Sequence, residues 1–409
     1  MFKRQKRTAF VVAAVFLLTW GSAARAGIQL SDVHIDGGVS GDLAQHAEKN
    51  ILFNPAGLGF EPENFIRAGK GLKLNSPDSG ADDFDSYMPS IDAHWRIDDQ
   101  WSLFGSLRVS NGGGSLYFDD EGAIAERINL FVFNRNAMSA SLELEASHYM
   151  MKLGAARKIH DHFGVAAGII GVSAKKNARL HAAGVTTPLG SLPSIHLDYD
   201  QSATGLTGFA SAHYERRGWS LAVNFTGPVR LAFETDISSD FSLPPSPPPP
   251  LPNLPYPDIP GDPGEIREDL PAILSLGVKK NLSLAPGDLE IKTGFAYIFQ
   301  ESATWNSTFD QVAAGFAGGP LSRLGNGYEI SVGFSWRPAK SRWTHYASYM
   351  YKNMGDAPQY MPGESRRLDF HVMGGGFRWQ YSDRLAFSVD FAGLNVFTGV
   401  EYVFGVSPD

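Results

Sequence analysis

Cysteine is absent from the 409-residue chain, so it has neither a disulfide framework nor a thiolate metal site available. Long apolar runs are scarce as well. Beyond the extreme N-terminus the longest candidate, residues 163–172, is about half of the roughly 20 residues a membrane-spanning helix needs. With a mean hydropathy of −0.16, a bundle of transmembrane helices is excluded. Positive charge is in short supply, with 35 Lys and Arg against 43 Asp and Glu, which argues against nucleic acid as a partner. Catalytic signatures are missing too: there is no G-x-S-x-G elbow, no H-E-x-x-H pair and no Walker loop.

What is present begins with an export signal. Lys3, Arg4, Lys6 and Arg7 precede an apolar run over 9–18, and Ala24-Arg25-Ala26 supplies a small-residue cleavage site, so residues 1–26 read as a secretory signal peptide. Its removal takes five basic residues and no acids, leaving 30 basic against 43 acidic side chains, a balance of −13. Glycine (44 residues) and aromatics (12%) are abundant, as suits closely packed strands carrying interfacial rings.

Alternation of period two runs through the rest. Trp219, Leu221, Val223 and Phe225 oppose Ser220, Ala222, Asn224 and Thr226; Tyr328, Ile330, Val332, Phe334 and Trp336 oppose Glu329, Ser331, Gly333, Ser335 and Arg337. A soluble sandwich would alternate in the same way, so the connections decide. Strands are expected near 63–74, 88–97, 101–110, 138–158, 162–173, 204–215, 218–236, 271–281, 287–299, 327–337, 341–351, 367–380, 384–392 and 396–406. The even-numbered strands end in short turns. The odd-numbered ones mostly lead into long links, including 174–203 and the proline-rich 237–270. An even strand count with short turns at one end and long loops at the other predicts an all-β fold, an antiparallel transmembrane β-barrel of about fourteen strands over 61–409. Trp95, Trp101, Trp219, Trp336, Trp343 and Trp379, with Tyr214 and Tyr381, all fall beside the short turns, as an interfacial girdle requires. The run Asn111-Gly112-Gly113-Gly114 is expected to end the third strand and let the wall bend.

Ahead of the strands lies a glycine-rich, irregular segment, 27–60, which closes on Phe53-Asn54-Pro55-Ala56-Gly57-Leu58. An apolar segment broken by Asn-Pro before a barrel suggests a plug in the lumen. The mature start Gly27-Ile28-Gln29-Leu30 and the later Asn54-Pro55-Ala56 resemble the N-terminal hatch of the outer-membrane long-chain fatty acid transporters (FadL-like). That resemblance implies a fourteen-stranded barrel plugged by 27–60, passive import of hydrophobic molecules, and Ile28 and Leu30 near the ligand.

For an acyl carboxylate the lumen needs apolar wall plus a cation. Strand parity puts Phe104 and Arg108 on one inward face, and Lys152, Lys292 and Arg337 inward as well. The candidate ligand-binding residues are therefore Ile28, Leu30, Phe53, Phe104, Arg108 and Lys292, with Asn54, Pro55 and Ala56 as the hatch motif. No catalytic residue, cofactor or metal is expected. His160-Asp161-His162 sits in a short turn, and the acidic runs near Asp82 and Asp119 read as solvated loop faces. The expected protein is a monomer in the outer membrane of a Gram-negative cell, contacting its lipids and a hydrophobic ligand: long-chain fatty acids first, aromatic hydrocarbons second. A general porin for polar solutes and an outer-membrane hydrolase are the competing readings.

Overall fold

A computed structural model describes residues 44–47, 49–73, 83–118, 139–187, 190–241, 266–304, 325–356, 367–392 and 395–404. The signal peptide, Ile28, Leu30 and the proline-rich 242–265 lie outside them. Sixteen strands build the wall: β1 (Asn64–Lys73), β2 (Asp83–Arg96), β3 (Trp101–Phe118), β4 (Ser139–His160), β5 (Phe163–Thr187), β6 (Gly190–Arg216), β7 (Trp219–Thr226), β8 (Ala232–Phe241), β9 (Ile266–Arg267), β10 (Ala272–Leu284), β11 (Gly287–Phe299), β12 (Gly327–Pro338), β13 (Trp343–Asp356), β14 (Arg367–Ser382), β15 (Leu385–Ala392) and β16 (Asn395–Phe404). β7 and β8 are two parts of one wall strand, and β9 continues into β10 in the same way, so the wall counts fourteen antiparallel strands. Pairing of β1 with β16 from Asn64↔Phe404 to Lys73↔Asn395 closes the ring, and closure leaves no edge to aggregate.

Alternation sorts the side chains as a lipid-embedded barrel requires. Leu103, Leu107, Ile169, Leu221, Val223, Phe225, Ile330, Phe334 and Phe391 all stand exposed on the outside, a surface that belongs in lipid rather than water. Their strand neighbours Ser102, Phe104, Ser106, Ser220, Asn224, Ser331 and Asp390 are buried within. At the short-turn end Trp343 stacks on Trp379 at 5.7 Å, flanked by Phe377, Tyr381 and Phe387. The turns there are tight. Asp98 accepts from the backbone N–H of Gln100 and Trp101, and those bonds hold its carboxyl below the usual range.

Two expectations need correction. The span 174–203 is not a long loop: β5 and β6 run on as an unbroken ladder from Phe163↔Tyr214 to Thr187↔Gly190. A tilted strand crosses a bilayer in about 9–11 residues, so most of that extension stands beyond the membrane, where Glu143, Glu145, Arg179 and Asp200 replace the apolar outer face. Nor do Asn111 to Gly114 end β3, which continues to Phe118. The β3–β4 register does shift there, at Val109/Asn111 and again at Gly112/Gly114. Small polar and glycine residues fit a bulge as well as a strand end.

Candidate functional site

Residues 44–60 contact the inner face of the wall at two places. The 3-10 turn Pro55–Phe60 packs on β3, β4, β5 and β6, while the turn Gln45–Ala47 packs on β7, β10 and β11. Asn54 makes the first attachment. Its side-chain oxygen caps the Pro55–Phe60 turn by accepting from Gly57 N–H at 3.3 Å, and its Nδ2 lies 2.8 Å from His213 Nδ1 on β6. His213 Nε2 faces Glu215 at 3.3 Å, and Lys49 Nζ reaches the same carboxylate at 3.1 Å. Proline is tolerated directly after Asn54 because the first N–H groups of a turn have no partner inside it.

The second attachment depends on two glycines. Gly277 and Gly294 are register partners on β10 and β11, and together they leave a dent in the wall. A Cβ on Gly277 would stand 2.5 Å from His46 O, with His46 C and Ala47 N closer still; one on Gly294 would strike His46 Nδ1. His46 is buried there, 3.9 Å from Glu329, itself 4.0 Å from Lys352. Phe53 packs on the far side of the imidazole, ring centres 5.0 Å apart.

Facing β4 and β5, the interior turns apolar. Ile51, Leu58, Phe104, Ala156, Ala166, Ile170, Val172, Ala203, Phe209, Val229, Leu231 and Phe233 form one continuous cluster. A second glycine pair, Gly154↔Gly168, floors it: a Cβ on Gly154 would meet the Phe104 and Phe209 rings at 2.6 and 2.7 Å. Those rings lie 6.0 Å apart in a tilted pair. Lys152, 2% exposed, donates to Leu52 O at 2.8 Å and holds its ammonium 4.1 Å over the Phe209 ring, joining the slot to the segment beside it. The inner faces of β10 to β15 are more polar, carrying Ser275, Lys279, Lys292, Glu329, Ser331, Ser335, Lys352 and Asp390 alongside Ile298, Met350 and Val372.

Beside the apolar slot the wall ladder is interrupted. Pairing of β6 with β7 stops at Phe209↔Thr226 and resumes with β8 at Ser202↔Glu234, so six residues (203–208) face seven (227–233). On its other edge the strand stays in register, with Val229↔Leu270 and Ala232↔Arg267. The extra residue is absorbed by dipping inward over Gly205, where a Cβ would press into Val229 and Arg230, and this aims Val229, Leu231 and Phe233 at the slot. Asp269 steadies the dip by accepting from Leu231 N–H at 3.0 Å and pairing with Arg267. Lys176 lies 4.9 Å over the Phe233 ring, paired with Glu268.

Of the candidates read from sequence, Phe53, Asn54, Pro55, Ala56, Phe104, Arg108 and Lys292 are all buried inside. They do not share one site. Phe104 is in the apolar slot; Lys292 is across the lumen, 3.6 Å from Glu290. Arg108 bonds Asp92 at 2.7 Å and Ser106 at 3.0 and 3.1 Å, so its charge is already answered. Arg337, expected inward, ends β12 largely exposed beside Asp288. Among the described residues no cluster of His, Asp and Glu could hold a metal. Sequence reasoning missed Phe209, His213, Asp92 and the inward dip, whose roles depend on register.

No family model matches the sequence, and no curated protein matches it either. Solved structures do match the fold. A FadL homologue from Pseudomonas aeruginosa superposes with a TM-score of 0.54 at 13% identity, over 90% of this chain and 93% of that one. The Ralstonia pickettii toluene transporter TbuX gives 0.53 at 11%, over 86% and 92%. The P. putida toluene transporter TodX gives 0.50 at 12%, over 87% and 93%.

Proposed function

We propose that this chain is an outer-membrane channel for passive uptake of hydrophobic small molecules, with 27–60 as its plug. One observation carries the reading: a continuous apolar slot, from Ile51 and Leu58 through Phe104 and Phe209 to Phe233, inside a barrel whose opposite wall is more polar. Apolar solutes gain roughly 0.8 kcal/mol per buried CH₂ in such a slot. The similar barrels named as FadL homologue and toluene transporters support the same solute class.

Neutral hydrocarbons fit better than fatty acids. A carboxylate drawn into the slot needs a cation, yet Arg108 is engaged by Asp92 and Lys176 by Glu268, while Lys152 is bonded to Leu52 O. Long-chain fatty acids are the second reading, with Arg108 as the receptor cation if Asp92 releases it. A general porin is disfavoured because segment 44–60 occupies both inner walls. A hydrolase is disfavoured because His213 bonds Asn54 and Glu215, and His94 the carbonyl of Glu63, rather than a serine hydroxyl.

The test is uptake of radiolabelled toluene and oleate by Gram-negative cells lacking other hydrophobic channels. Expression is expected to raise toluene entry several-fold and oleate entry less. Unchanged entry of both would remove the proposal. Deleting 27–60 is expected to raise single-channel conductance in planar bilayers, and unchanged conductance would refute the plug.

A further inference from the structure

The short-turn rim carries charges that the transport reading does not use. Arg216, Trp219 and Lys280 stand side by side on three neighbouring strands: Trp219 is the register partner of Arg216 on β6 and of Lys280 on β10. All three project outward, since the inward positions beside them are Glu215, Ser220 and Lys279. The Lys280 ammonium lies 4.8 Å over the Trp219 ring and donates to Arg217 O at 3.1 Å. Neither Arg216, Arg217 nor Lys280 has an acidic partner among the described residues, whereas Arg96, Lys158 and Arg337 at the same rim are paired with Asp99, Asp161 and Asp288.

The backbone adds an independent observation. Arg217 has φ 51 and Gly218 φ 74, the two positive values that a type I′ hairpin turn demands. Asn-Gly would satisfy that turn without strain, but the first position holds an arginine. Lys340, in the turn joining β12 to β13, repeats the pattern with φ 61. Near it Arg342 donates to Tyr381 O at 2.9 Å beside the Trp343–Trp379 stack. Among the described residues, both positive-φ positions held by a residue other than glycine are basic, and both lie in short turns. Strain kept at a particular position points to a function for the side chain there.

We propose that Arg216, Arg217, Trp219 and Lys280 form a binding site for the phosphate headgroup of an anionic phospholipid in the adjoining leaflet. The inference rests on the lipid-embedded barrel of the functional reading but not on its solute. The indole lies at the boundary between acyl chains and water. The guanidinium groups supply forked donors matched to phosphate oxygens, and the ammonium adds a point charge held in place by the ring. A headgroup with two phosphates, as in cardiolipin, would engage both Arg216 and Lys280 across the indole.

The experiment is native mass spectrometry of the full chain released from detergent with cardiolipin, phosphatidylglycerol or zwitterionic phosphatidylethanolamine. The parent is expected to retain cardiolipin over phosphatidylglycerol, and both over phosphatidylethanolamine. At about fivefold per basic residue, Arg216→Gln/Arg217→Asn/Lys280→Gln should lose affinity on the order of 100-fold. Asn at 217 suits positive φ, so the triple variant should fold, which an unchanged heat-dependent gel shift would verify. Arg337→Gln, whose arginine already has Asp288, should bind like the parent. Equal retention by the triple variant, an equal loss in Arg337→Gln, or displacement of the lipid by millimolar inorganic phosphate would each overturn the site. Toluene uptake by the same cells reports separately, so failure here leaves the transport reading standing.

Discussion

Replacing Gly277 by alanine would test whether residues 44–47 are docked in the dent between β10 and β11. The added Cβ would point inward, 2.5 Å from His46 O and nearer still to the neighbouring backbone atoms, where ordinary contact begins at about 3.4 Å. Backbone on both sides leaves no flexible group to yield, so the segment itself must retreat by roughly 1 Å. Overpacking of this kind costs about 1–3 kcal/mol, which raises the undocked population about 5-fold to 150-fold. Because the chain has no cysteine, Ala47→Cys offers a clean reporter at a fully buried position. Its maleimide labelling rate tracks the transiently open population. The rate should rise by that factor when Gly277→Ala is added. Gly171→Ala, whose Cβ meets nothing within 4 Å, should leave it unchanged. Equal labelling in all three backgrounds would refute the docking.

Gly154→Ala should push the Phe104 and Phe209 rings off their floor and lower toluene affinity by calorimetry in detergent, with the gel shift preserved; unchanged affinity would take the ring pair out of the slot. Asn54→Ala removes both the turn cap and the His213 contact, so it should accelerate Ala47→Cys labelling by about fivefold or more, as a cap loss of roughly 1 kcal/mol or more implies; no acceleration would mean that the Gly277–Gly294 dent holds the segment alone. Arg108→Ala leaves Asp92 buried without its partner and should destabilise the barrel by about 3–5 kcal/mol in urea titration, while Arg108→Met with Asp92→Leu should recover most of that loss; equal losses would mean the pair is not coupled. If Arg108 nonetheless receives acyl carboxylates, Arg108→Ala would weaken oleate binding and spare toluene, which calorimetry on the two ligands separates.

The barrel was legible because its signals are local. All but one of the expected wall strands needed only a pleat-period alternation and a turn, as in Gly327–Pro338. The exception, 218–236, is the strand that dips at 227–231. Strand ends were read too early wherever the ladder outgrows the membrane. Beyond residue 173 the outward positions of β5 become Lys175, Asn177 and Arg179. Polar residues where the apolar outer face should continue look like a loop, although a ladder standing in water uses the same residues.

The interior was less legible, for a physical reason. Gly154 and Gly168, or Gly277 and Gly294, are ordinary strand glycines in sequence and weaken a strand slightly. They become cavities only when register sets each beside its partner on a neighbouring strand, and only one pair floors the slot while the other receives His46. The same holds for charge. Parity correctly placed Arg108 inside, but its meaning depends on Asp92, sixteen residues earlier and two register steps from its own partner Ser90. An inward cation alone suggests an anion receptor. An inward cation with its carboxylate at 2.7 Å is a neutral brace in the wall, and a slot whose nearest cations already have partners in a carboxylate or a carbonyl is consistent with the neutral solute proposed above.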